Sequence, residues 1–169
     1  MTSPLEMSPP DDKELKDRAL TLISGQNTMT LATARGDAPW AAPVYYASLQ
    51  FIFYFFSDPK SRHISEAVDS RQASAAVFEP ASTWKEIRGV QMTGRIQSLS
   101  PGLEALRALR AYLKKFPFTK DFFEAGQPLN LGAFSKTFRV KFYRYTPSLL
   151  YYLDNSIKFG FRAEIPLRH

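Results

Sequence analysis

Six consecutive residues, Phe51–Phe56 (FIFYFF), are aromatic or β-branched and carry no helical spacing, so the run reads as a buried strand. It closes at Ser57 in a short polar loop, where Asp58-Pro59 breaks the chain and Ser61-Arg62-His63 opens a helix over Ser61–Ser70. The preceding run, Trp40–Ser48, is strand-like too, and lies close enough to Leu49–Ser57 to form a hairpin. A strand feeding a helix through this loop concentrates groups that bind anions. A helix N-terminus offers unpaired backbone N–H groups and a partial positive charge. Ser61 adds a hydroxyl, and Lys60 and Arg62 add full charges, Arg62 with a two-pronged guanidinium. Those are the parts that hold a phosphate. The plain alternative is a serine helix cap with solvated neighbours.

Elsewhere the pattern alternates between the two periodicities. Asp11–Ser24 is amphipathic, with Leu15, Ala19, Leu22 and Ile23 on one face and acids in its first turn. Thr28–Arg35 is a strand ending in an Arg35-Gly36-Asp37 turn, and Gln72–Glu79 is a small, apolar strand suited to the middle of a sheet. In Ile87–Ser98, Val90, Met92, Gly94 and Ile96 share one face while Gly89, Gln91, Thr93 and Arg95 share the other. Ser100-Pro101 starts a helix whose expected apolar stripe is Leu106, Leu109, Leu113 and Phe116. A short helix over Phe118–Ala125, a loop over Gln127–Ala133, and strands over Phe134–Tyr145 and Leu149–Leu153 complete the order. Residues 1–10 are Pro/Ser-rich and form a flexible arm; residues 11–169 form one domain. Antiparallel hairpins with segregated helices predict an α+β fold built on a six- or seven-stranded barrel-like sheet.

Composition narrows the classes. At 169 residues the chain supports one core, and 44% hydrophobic with 14% aromatic residues suits a folded β-rich domain. No apolar run approaches the roughly 18–20 residues that a membrane helix needs. The start, MTSPLEMSPPDDKE, lacks a cationic segment followed by an apolar one, so a cytoplasmic location is expected. The absence of cysteine excludes disulfides, thiolate zinc sites and catalytic thiols. With two histidines, His63 and His169, no metal site is expected. The net charge of +6 gathers late: after Gly126, Asp154 and Glu164 face Lys136, Arg139, Lys141, Arg144, Lys158, Arg162 and Arg168. The alternation of rings and cations over Phe138–Tyr145 resembles a single-strand nucleic-acid surface, but a half-buried strand with polar residues outward explains it better.

Three stretches carry a resemblance in this order and spacing: Lys60-Ser61-Arg62-His63, Ile87–Arg95 (IRGVQMTGR) and Asp154–Gly160 (DNSIKFG), joined by Phe116-Pro117. Together they resemble the flavin-binding split barrel of the pyridoxamine 5′-phosphate oxidase superfamily, nearest its YhbP-like branch, across about residues 20–162. The resemblance implies an antiparallel split β-barrel with flanking helices, and a homodimer holding FMN between subunits. It places the flavin phosphate on Ser57, Lys60, Ser61, Arg62 and His63, the ring edge along Ala42, Pro43, Val44 and Tyr45, and Gln91 within reach of the ring. At position 63 the superfamily pattern carries lysine. The arginine and histidine that grip substrate in true pyridoxamine phosphate oxidases have no counterpart near the C-terminus, where Arg162 and His169 stand in another context.

The expected function is therefore flavin-dependent oxidoreduction of an unassigned substrate, with a nicotinamide nucleotide as candidate reductant and no catalytic side chain identified. Asp58, His63 and Glu86 are candidates by polarity alone, and Arg88, Arg95, Lys158 and Arg162 are candidate cations for the ring. The alternatives are a non-catalytic flavin carrier or sensor, and a split barrel that binds haem or a deazaflavin, haem requiring His63 or His169 as axial ligand.

Overall fold

The computed structural model describes residues 10–122, 132 and 139–167. Its elements, in chain order, are α1 (Asp12–Gly25), β1 (Thr28–Arg35), β2 (Ala38–Tyr45), β3 (Ala47–Leu49), β4 (Ile52–Ser57), α2 (Arg62–Ser70), β5 (Ala73–Phe78), β6 (Arg88–Ser98), α3 (Leu103–Lys115), β7 (Lys141–Asp154) and β8 (Arg162–Glu164). Short 3₁₀ turns lie at Trp84–Glu86 and Pro117–Phe122. Seven strands run in the order β2-β1-β5-β6-β7-β4-β3, all neighbours antiparallel, and β8 pairs with β7 off that path.

That order closes the barrel. β2 and β3 sit at opposite ends of the hydrogen-bonded path, yet only Tyr46 separates them in the chain. The sheet must curl until its ends meet, which leaves a split where β2 lies beside β4 without pairing to it. Tyr46 anchors the corner: it is fully buried, its hydroxyl donates to Ile23 O at 2.6 Å, and its amide donates to Asn27 O. The expected single strand Trp40–Ser48 is thus broken at Tyr46. The hairpin is the tighter pair β3–β4, turned at Gln50 with φ of 55°.

Packing explains the aromatic run. Phe53 and Phe55 point into the barrel with Met29, Leu31, Val77, Val90, Met92, Tyr145 and Leu150. Tyr54 and Phe56 point the other way, into a second cluster with Tyr112, Leu113, Phe116 and Phe142 beneath α3. β4 is therefore covered on both faces, which a strand does only with apolar side chains at every position. All four expected core residues of α1 are buried. On α3 the buried face is Ala105, Ala108, Leu109, Tyr112 and Leu113, while Leu106 is 40% exposed, so the expected stripe is rotated by part of a turn.

The two expected C-terminal strands are one, β7, which runs through Thr146-Pro147 without stopping. A register shift between Thr93 and Gly94 on β6 accommodates the proline, and Gly94 makes the approach possible. A Cβ on Gly94 would lie 2.3 Å from Thr146 O and 2.8 Å from Pro147 Cα. Phe142, Tyr143 and Tyr145 are buried, so the rings of this strand are committed to the core rather than to stacking on bases. Residues 1–9 of the expected arm (1–10), the end of the expected Phe118–Ala125 helix from 123 on, the loop at 127–133 apart from residue 132, the strand start at 134–138 and His169 lie outside the described residues. Among the described residues no helix is long and apolar enough to cross a membrane.

Candidate functional site

At one end of the barrel the close of β4, the start of β2 and the N-terminus of α2 converge. Asp58 shapes the loop between them: its side chain accepts from the Lys60 amide at 2.8 Å and its carbonyl from the Ser61 amide at 3.0 Å. Ser61 is the N-cap residue of α2, but its hydroxyl makes no cap hydrogen bond. It turns instead toward Ser57 Oγ, 3.2 Å away, and His63 Nε2, 3.3 Å away, while Ser57 Oγ and His63 Nε2 are 2.8 Å apart. Two hydroxyls and an imidazole thus meet at the helix N-terminus, whose first-turn amides no side chain caps. Ser57 is 8% exposed, and Ser61 and His63 are half-buried. Burial holds the His63 imidazole below its ordinary value, and the Glu66 charge offsets this only in part.

The charged neighbours are less uniform than the sequence suggests. Lys60 is exposed. Arg62 Nε donates to Glu66 Oε1 at 2.6 Å, its NH2 donates to Ala38 O at 3.1 Å, and its guanidinium stacks 4.7 Å from the centre of the Trp40 ring. Glu66 is buried and also accepts from Thr33 Oγ1 at 2.6 Å. The hydrogen bonds from Thr33 and Arg62 hold its carboxyl below the usual carboxylate range. The i,i+4 spacing of Arg62 and Glu66 was the available signal for this pair. Arg62 is fixed at the rim of the corner, with its side chain 42% exposed.

Along β2, Ala42 faces the barrel and is buried, Val44 is half-buried, and Pro43 and Tyr45 face outward. Tyr45 meets Phe116 and Phe118 edge-on. Among the described residues β2 pairs only with β1, so one of its backbone edges borders the split. Gln91 lies on the outer face of β6, in a registered row Pro43–Thr30–Ala76–Gln91–Tyr151 across five strands. Three strand spacings put Gln91 about 14 Å from Pro43. The structure gathers Ser57, Ser61, Arg62 and His63 at one corner and sets Gln91 apart from the β2 residues on a different part of the surface.

That outer surface is a groove of about 400 Å³ lined by Thr30, Ala32, Ser74, Ala76, Gln91, Thr93, Leu149, Tyr151 and Arg162 among others. Its side chains are uncharged except for Arg162, whose guanidinium stacks 4.3 Å from the Tyr151 ring centre. Of the candidate cations, Arg162 lines the groove, whereas Arg88 turns to Asp154 and Ser156. Glu86 accepts from the Ser82 amide in a local turn. Past the groove, Phe78, Trp84, Ile87 and Phe159 are between 46% and 74% exposed, with Trp84 and Phe159 edge-on at 5.4 Å.

Strand order and the open seam between β2 and β4 define a split-barrel protein. The chain belongs to the pyridoxamine 5′-phosphate oxidase family, whose model matches residues 15–128. It is similar to a UPF0306 protein of Klebsiella pneumoniae (strain 342), 33% identical over 100 residues that make up 58% of this chain and 67% of the other. It is also similar to the UPF0306 protein YhbP of Salmonella arizonae, 29% identical over 100 residues, with the same two shares. A haem-binding protein from Mycobacterium smegmatis shares the fold at a TM-score of 0.66 and 17% identity; the match covers 94% of this chain and 59% of that one. An FAD-binding protein from Mesorhizobium loti does so at 0.58 and 20% identity, covering 79% and 89%.

Proposed function

We propose that this chain is an FMN-binding, homodimeric flavoprotein that acts as an oxidoreductase. The observation that carries this reading is the uncapped N-terminus of α2, where Ser61 gives up its usual capping bond to meet Ser57 and His63. Hydroxyls, an imidazole, first-turn amides and the adjacent Arg62 and Lys60 form a donor set that fits phosphate oxygens. Ser57, Ser61 and His63 would hold the phosphate, with Arg62 and Lys60 adding charge at the rim. Ala42, Pro43, Val44 and Tyr45 on the split-facing strand would flank the ring. When bound, FMN supplies hydride and electron transfer, and the chain's own residues bind it, orient it and set the charge around it.

The uncharged outer face supports self-association. The row through Ala76 and Gln91 and the row through Ala32, Ser74 and Thr93 present no charge, and exposed aromatics border them. A two-fold pairing through this face would bury it and bring Gln91 and Arg162 of each subunit to the interface. Arg162 would then provide the positive charge that stabilises a reduced flavin anion.

The same fold carries haem in one structural neighbour and FAD in another. FMN is favoured here because His63 Nε2 is directed at two serine hydroxyls, partners suited to a phosphate rather than to an iron axial position. The test is anaerobic titration of the FMN-loaded protein with NADH and NADPH, followed by an acceptor. Reduction and reoxidation faster than free FMN support the oxidoreductase. Stoichiometric FMN with only the free-flavin rate identifies a carrier or sensor, and turnover of pyridoxamine phosphate contradicts the missing substrate grip.

A further inference from the structure

Among the described residues no carboxylate hydrogen-bonds to His63. Its Nε2 meets two neutral hydroxyls, Ser57 at 2.8 Å and Ser61 at 3.3 Å. On its own helix, Glu66 has both oxygens engaged, Oε2 by Thr33 and Oε1 by Arg62. In the loop, Asp58 accepts from the Lys60 amide. The surrounding elements add cations and a phenol rather than another carboxylate. Lys60 is in the loop and Arg62 on α2. Lys141 lies opposite Ser57 on β7, with Tyr143 farther along that strand, and Arg95 is exposed on β6. Arg35 on β1 is turned to Ser65 and Asp69. Burial acts against a charged ring, and the Glu66 charge opposes it only in part.

We propose that His63 makes ligand binding at this corner proton-linked: the imidazole is neutral in the free protein and takes up one proton from solvent when a phosphate dianion fills the corner. This rests on the phosphate reading above and goes beyond it, since a lysine at the same position would be charged throughout. The bound phosphate supplies the directly hydrogen-bonded anion that Glu66 and Asp58 do not, and the two serine hydroxyls turn to donate to its oxygens. The protonated ring then donates from Nε2 to the phosphate, a charge-assisted bond that the neutral tautomer bearing its proton on Nδ1 cannot make. FMN affinity therefore falls as pH rises between the value at which the free imidazole titrates and the higher one at which the bound imidazole does, by up to about tenfold per pH unit, and levels off above it.

The experiment compares FMN affinity of the wild-type protein and His63→Lys from about pH 6.5 to about pH 8.5, bracketing the range in which a histidine titrates. The ligand's own phosphate ionisation, near pH 6, acts on both proteins alike. Wild type is expected to weaken at least about fivefold across this range, and His63→Lys to change by less than about twofold. A second measurement needs no variant. With only two histidines in the chain, the His63 ring protons can be followed by NMR, and their titration should move to higher pH with FMN but not with riboflavin, which lacks the phosphate. Parallel pH profiles in the two proteins, or a His63 titration unmoved by FMN, overturn the proton linkage while leaving FMN binding intact. Failure of both proteins to bind FMN at any pH overturns the phosphate reading, and the linkage with it.

Discussion

Replacing Ser57 by alanine isolates the phosphate role of the corner from its role in the fold. In the free protein the change removes a neutral hydroxyl–imidazole hydrogen bond of 2.8 Å and a longer hydroxyl–hydroxyl one to Ser61 of 3.2 Å. A bond of that kind is worth about 0.5–1.5 kcal/mol, and for a domain of this size each kcal/mol moves Tm by about 2–4 °C. No cavity of consequence is left, because only a hydroxyl is deleted. In the FMN complex the same hydroxyl donates to a charged phosphate oxygen, where a hydrogen bond contributes about 1.5–3 kcal/mol. Ser57 is 8% exposed, so water has little access to substitute for it. At about 1.4 kcal/mol per decade, the FMN Kd rises roughly ten- to 150-fold. Fluorescence quenching titrations at matched salt measure this directly, with Ser61→Ala, at a half-buried position, expected to cost less. Riboflavin serves as the control, since it should bind wild type and Ser57→Ala equally. An unchanged FMN Kd, or an equal loss for riboflavin, would refute the assignment of the hydroxyl to the phosphate.

Three further outcomes follow from separate parts of the molecule. Gly94→Ala places a Cβ against Thr146 O and Pro147 Cα, backbone atoms that cannot swing aside, so stability falls by about 3 kcal/mol or more in denaturant unfolding; a loss under about 1 kcal/mol would show that the bulge relaxes. Burial alone would raise the Asp154 carboxyl, but hydrogen bonds from Ser156 and Tyr152 and the Arg88 charge hold it below the ordinary range. Its stabilising contribution is thus present above the ordinary carboxylate value and lost as pH falls through the depressed one. Asp154→Asn should lower stability at neutral pH and flatten the acid limb of the pH–stability curve, and an unchanged acid limb would count against this network. Ala76→Arg puts a charge on the uncharged outer face, so light scattering should change from about twice 19.2 kDa to about 19.2 kDa, with FMN lost in parallel; a dimer that persists would place the interface elsewhere.

Much of the barrel was legible because it rests on local periodicity. The four buried residues of α1 and the alternation along β6 are visible as 3.6- and 2-residue repeats. The donor groups of the corner were legible from composition, since they lie within seven residues of chain, 57–63. Closure of the sheet was not. That β2 and β3 end up at opposite edges depends on Tyr46 being drawn under the end of α1, a contact between distant segments. Thr146-Pro147 has the composition of a strand break, and a bulge at Ser148, opposite the Thr93–Gly94 step of β6, lets β7 pass through it. Arg62 looked like a free phosphate ligand because the buried acid that holds it, Glu66, is identifiable as buried only once α2 covers Thr33. The separation of Gln91 from β2 is likewise a matter of strand order, which side-chain pattern along one strand does not encode.

The central claim is that the corner at Ser57, Ser61 and His63 is built for the phosphate of FMN. Calorimetric titration of the purified protein with FMN, riboflavin and haem under one set of conditions tests it most directly. The account predicts one FMN per chain, riboflavin weaker by at least about a hundredfold because the phosphate contacts are lost, and haem weaker than FMN. Equal affinity for FMN and riboflavin, or tight stoichiometric haem with weak FMN, would contradict it.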